Sequence, residues 1–204
     1  MERKFILTDK FVINSFGIKL FQIKCTKSFK YAQKGDFGGY VEKEGNLDQE
    51  NDAWVSGNAW VSGNAWVSGD AWVSGDAWVS GDAWVSGDAR VSGNAWVFGN
   101  ARVSGNAWVS GNARVSGNAW VSGNADIEND NEHCGFDGFG SCNRHTHAYM
   151  TKEKKVEIIC GCFRGSIEEF EKKVEETHSG TVYEKQYKSI INVIKIKFGL
   201  TDFT

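Results

Sequence analysis

Ala53-Trp54-Val55-Ser56-Gly57-Asn58 opens a stretch in which one six-residue unit runs twelve times, without an insertion, to Asn124. The second position is Trp or Arg and the sixth is Asn or Asp. A period this short and strict constrains the fold before any local propensity is weighed. Within a unit four residues alternate as they do in a strand, so Ala53 and Val55 share one face while Trp54 and Ser56 share the other. Gly57-Asn58 is a turn pair that tolerates positive φ. Each unit therefore reads as one short strand and one corner. Ala and Val are small and apolar and suit a narrow interior; Trp and Ser point outward.

The pattern resembles the hexapeptide left-handed β-helix family, in which an aliphatic residue recurs every six positions beside a small one. The aliphatic position maps onto Val55, Val61, Val67 and onward to Val121, with Ile127 continuing it, and the small position onto Ala53 to Ala125. The resemblance implies a mainly β fold: a triangular, left-handed parallel β-helix with three units per coil. At about 4.8 Å per coil, the four coils of perfect repeat span roughly 19 Å.

Working outward, residues 1–45 do not repeat and read as an N-terminal strand and loop cap. Lys4-Phe5-Ile6-Leu7 and Ile18 to Ile23 read as strands joined through Asn14-Ser15-Phe16-Gly17. The solenoid is expected over 46–127, and Leu47 and Val41, at six-residue steps before Ala53, start its register in degenerate form. A solenoid end exposes unpaired backbone and an apolar core, so terminal segments must cover it. Lys34 to Tyr40 and Asn46 to Glu50 resemble the entry segment of hexapeptide-repeat proteins of phages, prophages and bacteria. Most of these have no established function, and a few are labelled acyltransferases by fold alone.

Residues 128–147 read as an irregular linker or end cap, and 148–204 as a ββαα module. In that module Val156, Ile158 and Cys160 alternate onto one face and pair with Ala148 to Met150. Ser166 to Glu169 and Thr181 to Glu184 are capping boxes that open two helices, and Gly180 ends the first. Asn143-Arg144 through Phe163 and Glu176 to His178 resemble a module recurring on Firmicute prophage proteins.

Composition excludes several classes. Net charge is −3, so nucleic acid is not an expected partner. No apolar run is long enough for a membrane helix, and the start is interrupted by Thr8-Asp9-Lys10 where a secretory signal would be apolar. Five cysteines are an odd number and fit reduced thiols in a cytoplasm.

The resemblance implies that acyl transfer on this fold would use a histidine base at a cleft between subunits, and no histidine precedes His133. His133, Cys134, Cys142, His145, His147, Cys160 and Cys162 include zinc-ligand types, but the spacing is not that of a paired knuckle. No metal or cofactor is expected. Asp70, Asp76, Asp82 and Asp88 sit at corners, where turn formation explains them.

The outward columns are what a plain scaffold does not require. An 18-residue coil stacks Trp54, Trp72, Arg90 and Trp108 on one face, Trp60, Trp78, Trp96 and Arg114 on the second, and Trp66, Trp84, Arg102 and Trp120 on the third. At one coil's separation the indoles are expected to stack with an offset. Nine Trp exceed the apolar patch a monomer normally exposes. The expected cover is the C-terminal helices, sister subunits in a homo-oligomer (a trimer by resemblance) or a partner. All twelve column residues and Phe98 are candidate binding residues. Trp78, Trp96, Phe98 and Arg114 are the expected contact face, because Phe98 and the Arg positions break the repeat. The expected function is non-catalytic binding of a host protein or small ligand, with counter-defence implied by the resemblance. A hexapeptide acyltransferase and a carbohydrate-binding Trp ladder are the alternatives.

Overall fold

The computed structural model describes residues 3–201; the outermost residues of the expected cap and C-terminal module lie outside that range. The repeat forms a parallel β-solenoid of three sheets. Each two-residue rung pairs with the rung 18 residues later: Trp54 with Trp72, Trp72 with Arg90, Arg90 with Trp108 and Trp108 with Asp126 on one face. Trp60, Trp78, Trp96 and Arg114 align on the second, and Trp66, Trp84, Arg102 and Trp120 on the third.

Val55 through Val121 and Ile127 are fully buried, with the alanines between them. Each buried Val contributes on the order of 1.5–3 kcal/mol through removal of its side chain from water. Corners close through glycine for two reasons. Gly63 has φ +68°, and a Cβ there would lie 2.9 Å from the Gly81 carbonyl oxygen one coil away. Only glycine meets both demands without strain. Asn and Asp side chains bond along the corners, as from Asn64 Nδ2 to Asp82 Oδ1 at 3.0 Å.

The entry register differs from expectation. Val41 pairs with Val61 and Leu47 bridges Val67, so both occupy the Val slot rather than the Ala slot. The six-residue step between Val41 and Leu47 holds. Two extra residues then separate Leu47 from the perfect repeat, because a Leu or Val fills the larger interior position and not the one sized for Ala. Upstream, Phe5–Ile13 and Lys19–Cys25 form an antiparallel hairpin, and Phe37–Val41 extends it into the second face of the rod. Gly38 permits the join, since a Cβ there would sit 2.5 Å from the Val55 carbonyl oxygen.

The 128–147 stretch is more regular than a linker. After a 3-10 turn at Asp130–Glu132, His133–Phe139 and Arg144–Met150 form a hairpin. Val156–Cys160 and Phe163–Gly165 complete a four-stranded antiparallel sheet, two strands more than the sequence pattern suggested. Of the two added strands, His133–Phe139 sets only Cys134 and Phe136, and Phe163–Gly165 only Phe163, against the core that the helices share. The sheet has two apolar faces. Tyr149 and Ile159 close the solenoid core, while Ala148, Val156, Ile158 and Cys160 pack on the helices.

Helix α1 (Ile167–His178) starts with a reciprocal Ser166–Glu169 capping box. Helix α2 (Val182–Lys197) starts at Thr181, whose hydroxyl accepts from the Glu184 amide. Its expected box is incomplete: the Glu184 carboxylate takes the Gly180 amide instead, at 2.7 Å. Ile190, Ile191 and Ile194 are buried at helical spacing as expected. No described helix is long and apolar enough to cross a membrane.

Candidate functional site

The cover on the Trp columns comes from the N-terminal segment, not from the helices. Phe29 meets Trp54 edge-on at 5.3 Å, and Tyr31 stacks on Trp72 at 5.6 Å with the planes 14° apart. Trp54 is thereby left only 2% exposed, although its rung position points outward. On the second face Phe16, at the hairpin tip, leans over Trp78 at 5.7 Å. Asn14 fixes that tip, its Oδ1 accepting from the Phe16 and Ile18 amides. The third face receives no such cover, and Trp66, Trp84 and Trp120 stay exposed.

Within the columns the indoles do not stack with an offset. Trp60–Trp78, Trp66–Trp84 and Trp78–Trp96 meet at 77°, 90° and 85°, with centroids 6.0, 5.5 and 5.1 Å apart. Parallel rings one coil apart would leave a gap too wide for face contact. Turning alternate rings edge-on closes it while matching the ring quadrupoles. Two half-buried indoles also donate inward along the rod, Trp72 Nε1 to Ser56 Oγ at 2.8 Å and Trp78 Nε1 to Ser62 Oγ at 3.1 Å.

Each Arg that replaces a Trp stacks on a column neighbour: Arg90 over Trp108 at 5.1 Å, Arg102 over Trp84 at 5.4 Å and Arg114 over Trp96 at 5.5 Å. Lys152 adds a second cation over Trp108 at 4.6 Å. The four residues expected as the contact face come together, with Phe98 6.3 Å from Trp96 and edge-on to it. Beside them lies a cleft of about 410 Å³ lined by Ser15, Phe16, Asn58, Trp60, Asp76, Trp78 and Trp96. Sequence reading did not place Ser15, Phe16, Asn58 or Asp76 at this face. Phe16 stood out only as an aromatic in a turn, where an exposed ring has nothing local to pack on.

The histidines lie at the far end of the rod. His147 Nδ1 is 3.1 Å from the Trp120 carbonyl oxygen. A carbonyl only accepts, so Nδ1 carries the proton and Nε2 accepts from His133 Nδ1 at 3.1 Å. Burial pushes the His147 pKa down to about 3, and both its nitrogens are engaged. His145 donates to Asp137 at 2.8 Å, and together with His147 it lines a pocket of about 310 Å³ below Trp120. Its Nε2 is packed rather than presented, since a Cβ at Gly135 would come within 2.8 Å of it. His178 lines a separate pocket of about 260 Å³ with Cys142, Cys160, Cys162 and Tyr187. Burial raises the Cys134 pKa to about 11 and raises that of Tyr187 above its ordinary value, which keeps both protonated. Among the described residues no three His, Cys, Asp or Glu side chains converge as a metal site.

Stacked rungs, glycine corners and a common Val interior define a β-solenoid repeat protein. A family model described as the YdcK β-solenoid repeat matches residues 53–69, 83–99, 97–111 and 107–123, so the chain is similar to that family over these coils. No curated protein matches the chain.

Proposed function

We propose that this β-solenoid is a non-catalytic recognition rod whose contact face carries Trp78, Trp96, Phe98 and Arg114. The observation behind this reading is convergence. Phe98, the single Ser replacement, and Arg114 flank the same Trp pair that the Phe16 tip overhangs. Elsewhere the repeat is nearly uniform and offers no unique chemistry. The partner is a host protein or a small ligand met in a cytoplasm, and counter-defence is the setting that the phage-type resemblance gives. Sister copies in a trimer would cover the third face, with Trp66, Trp84, Arg102 and Trp120.

The test compares capture of binding partners on immobilised wild type, on a paired Phe98→Ser and Arg114→Ala variant, and on a third-face Trp84→Ser variant. The paired variant is expected to keep its β-rich circular dichroism and lose the partner, while Trp84→Ser retains it. Equal capture on the paired variant and wild type would move recognition to the C-terminal part.

A further inference from the structure

We propose that the cleft between Phe16 and the Trp60–Trp78–Trp96 column is a cage for the quaternary ammonium head of a small molecule, which names a ligand class for the recognition face and rests on that reading.

Three features of the cleft carry this. The first is the angle between its walls. Successive indoles cross at 77° and 85°, and Phe16 closes one side at 41° to Trp78. Rings set this way enclose a compact group from several directions. A sugar platform needs the opposite, a flat open face or coplanar rings on which a pyranose can lie.

The second is charge. Among the described residues the one ionised side chain lining the cleft is the Asp76 carboxylate, held by the Asn58 amide, which donates to Asp76 Oδ1 at 3.1 Å. Aromatic faces are negative at the centre, so a carboxylate beside them favours a cation and disfavours an anion.

The third is vacancy. Arg90 and Lys152 lie over Trp108, Arg102 over Trp84, and Arg114 over Trp96 at the end wall of the cleft. Among the described residues no cationic side chain lies over Trp60 or Trp78. A volume of about 410 Å³ accommodates a trimethylammonium head with a short tail.

Titration of the full chain with choline, followed by Trp fluorescence and calorimetry, tests the assignment against two other probes: the neutral tert-butyl isostere of choline and a glucose oligosaccharide. Choline is expected to saturate, and the neutral isostere to bind about tenfold more weakly, because only the cation gains from the ring faces. Phe16 is 72% exposed, so Phe16→Ala should leave the melting temperature unchanged while weakening choline binding about tenfold. Asp76→Asn should weaken it severalfold. Equal binding of the neutral isostere, preference for the oligosaccharide, or no response to choline would each overturn the cage. Phe98 and Arg114 do not line the cleft. A flat choline titration combined with partner loss in the Phe98→Ser, Arg114→Ala variant would therefore remove the cage and leave the recognition face. Choline saturation with partner binding intact in that variant would do the reverse.

Discussion

The two ends of the rod close their open coils with different side chains. Backbone amides of each coil donate to carbonyls of the next, as Trp54 N does to Ala71 O. Carbonyls such as Ala53 O are therefore left open at the first coil, and amides such as Arg114 N, together with some carbonyls, at the last. At the N-terminal end the donors are a buried ammonium and an amide. Lys4 Nζ donates to the Asn51 and Ala53 carbonyls, and Asn46 Nδ2 to those of Gly63 and Ala65. At the C-terminal end Asp130 Oδ1 accepts from the Arg114 amide at 2.7 Å. The remaining Trp120 and Ser122 carbonyls take the neutral His147 ring and the Tyr149 hydroxyl. The repeat is one sequence; its ends differ because the flanking segments supply different side chains to them.

The comparison presumes one core joining the ends, and the largest predicted effect breaks that. Val85 is fully buried at mid-rod. Val85→Asp would place a carboxylate in the interior with no partner, at a cost of about 3–5 kcal/mol. Chemical denaturation should show both ends losing structure together. The adjacent Trp84→Ser, at a side chain 46% exposed, should cost less than about 1 kcal/mol. Retention of a folded C-terminal sheet in Val85→Asp would mean that the ends are independent.

The next prediction sharpens the contrast through pH. Burial holds the folded His147 pKa at about 3, below its ordinary 6.5. Between those values the unfolded chain binds the extra proton, so this contribution is complete above pH 6.5 and falls as the solution is acidified. The slope is about 1.4 kcal/mol per unit, so roughly 2 kcal/mol is lost by pH 5. His133 is lowered by burial with the same sign. At the other end burial brings Lys4 to about 8 from 10.5. There too the unfolded chain holds the proton longer, so stability rises between pH 8 and 10.5. Denaturant midpoints measured from pH 5 to 10 should follow both limbs. His147→Leu should flatten the acid limb alone, and Lys4→Met the alkaline limb alone. An acid limb unchanged in His147→Leu would place the titrating group elsewhere.

How much of this was legible in the sequence follows the same division. The perfect repeat announced its register, interior and columns, since Ala, Val and Gly each fit one slot only. The helices were legible through Ser166, Thr181 and the spacing of Ile190, Ile191 and Ile194. The strand His133–Phe139 was not, because only Cys134 and Phe136 of its seven residues pack on the helix-side core, too few for a local pattern. The two-residue excess before the repeat was hidden for a related reason: Leu47 and Val41 keep the period while occupying a different slot. Phe98 and Arg114 were legible as breaks in the pattern. The Phe16 cleft required knowing that the hairpin folds back along the second face.

The smallest predicted effect tests how far the cationic end reaches up the rod. Asp70 and Asp88 share a corner one coil apart, where two carboxylates repel. Lys30 from the N-terminal segment lies between them, with Nζ 3.4 Å from Asp70 and 3.8 Å from Asp88. Tyr31 anchors the same loop by donating to the Asp70 carbonyl at 3.0 Å. Further up, that corner carries Asn106 and Asn124, and the nearby cation Lys152 gives its ammonium to the Asn106 carbonyl. The acidic corner thus sits where the cap supplies a compensating charge. Lys30→Ala should lower the melting temperature slightly at low salt, and Asp88→Asn in that background should restore it by removing the repulsion. The pair is solvent-exposed, so the difference should vanish at about 1 M salt, where the Debye length falls to about 3 Å. A loss that persists in high salt would show that Lys30 holds the loop by packing on Tyr31, 4.9 Å away, rather than by charge.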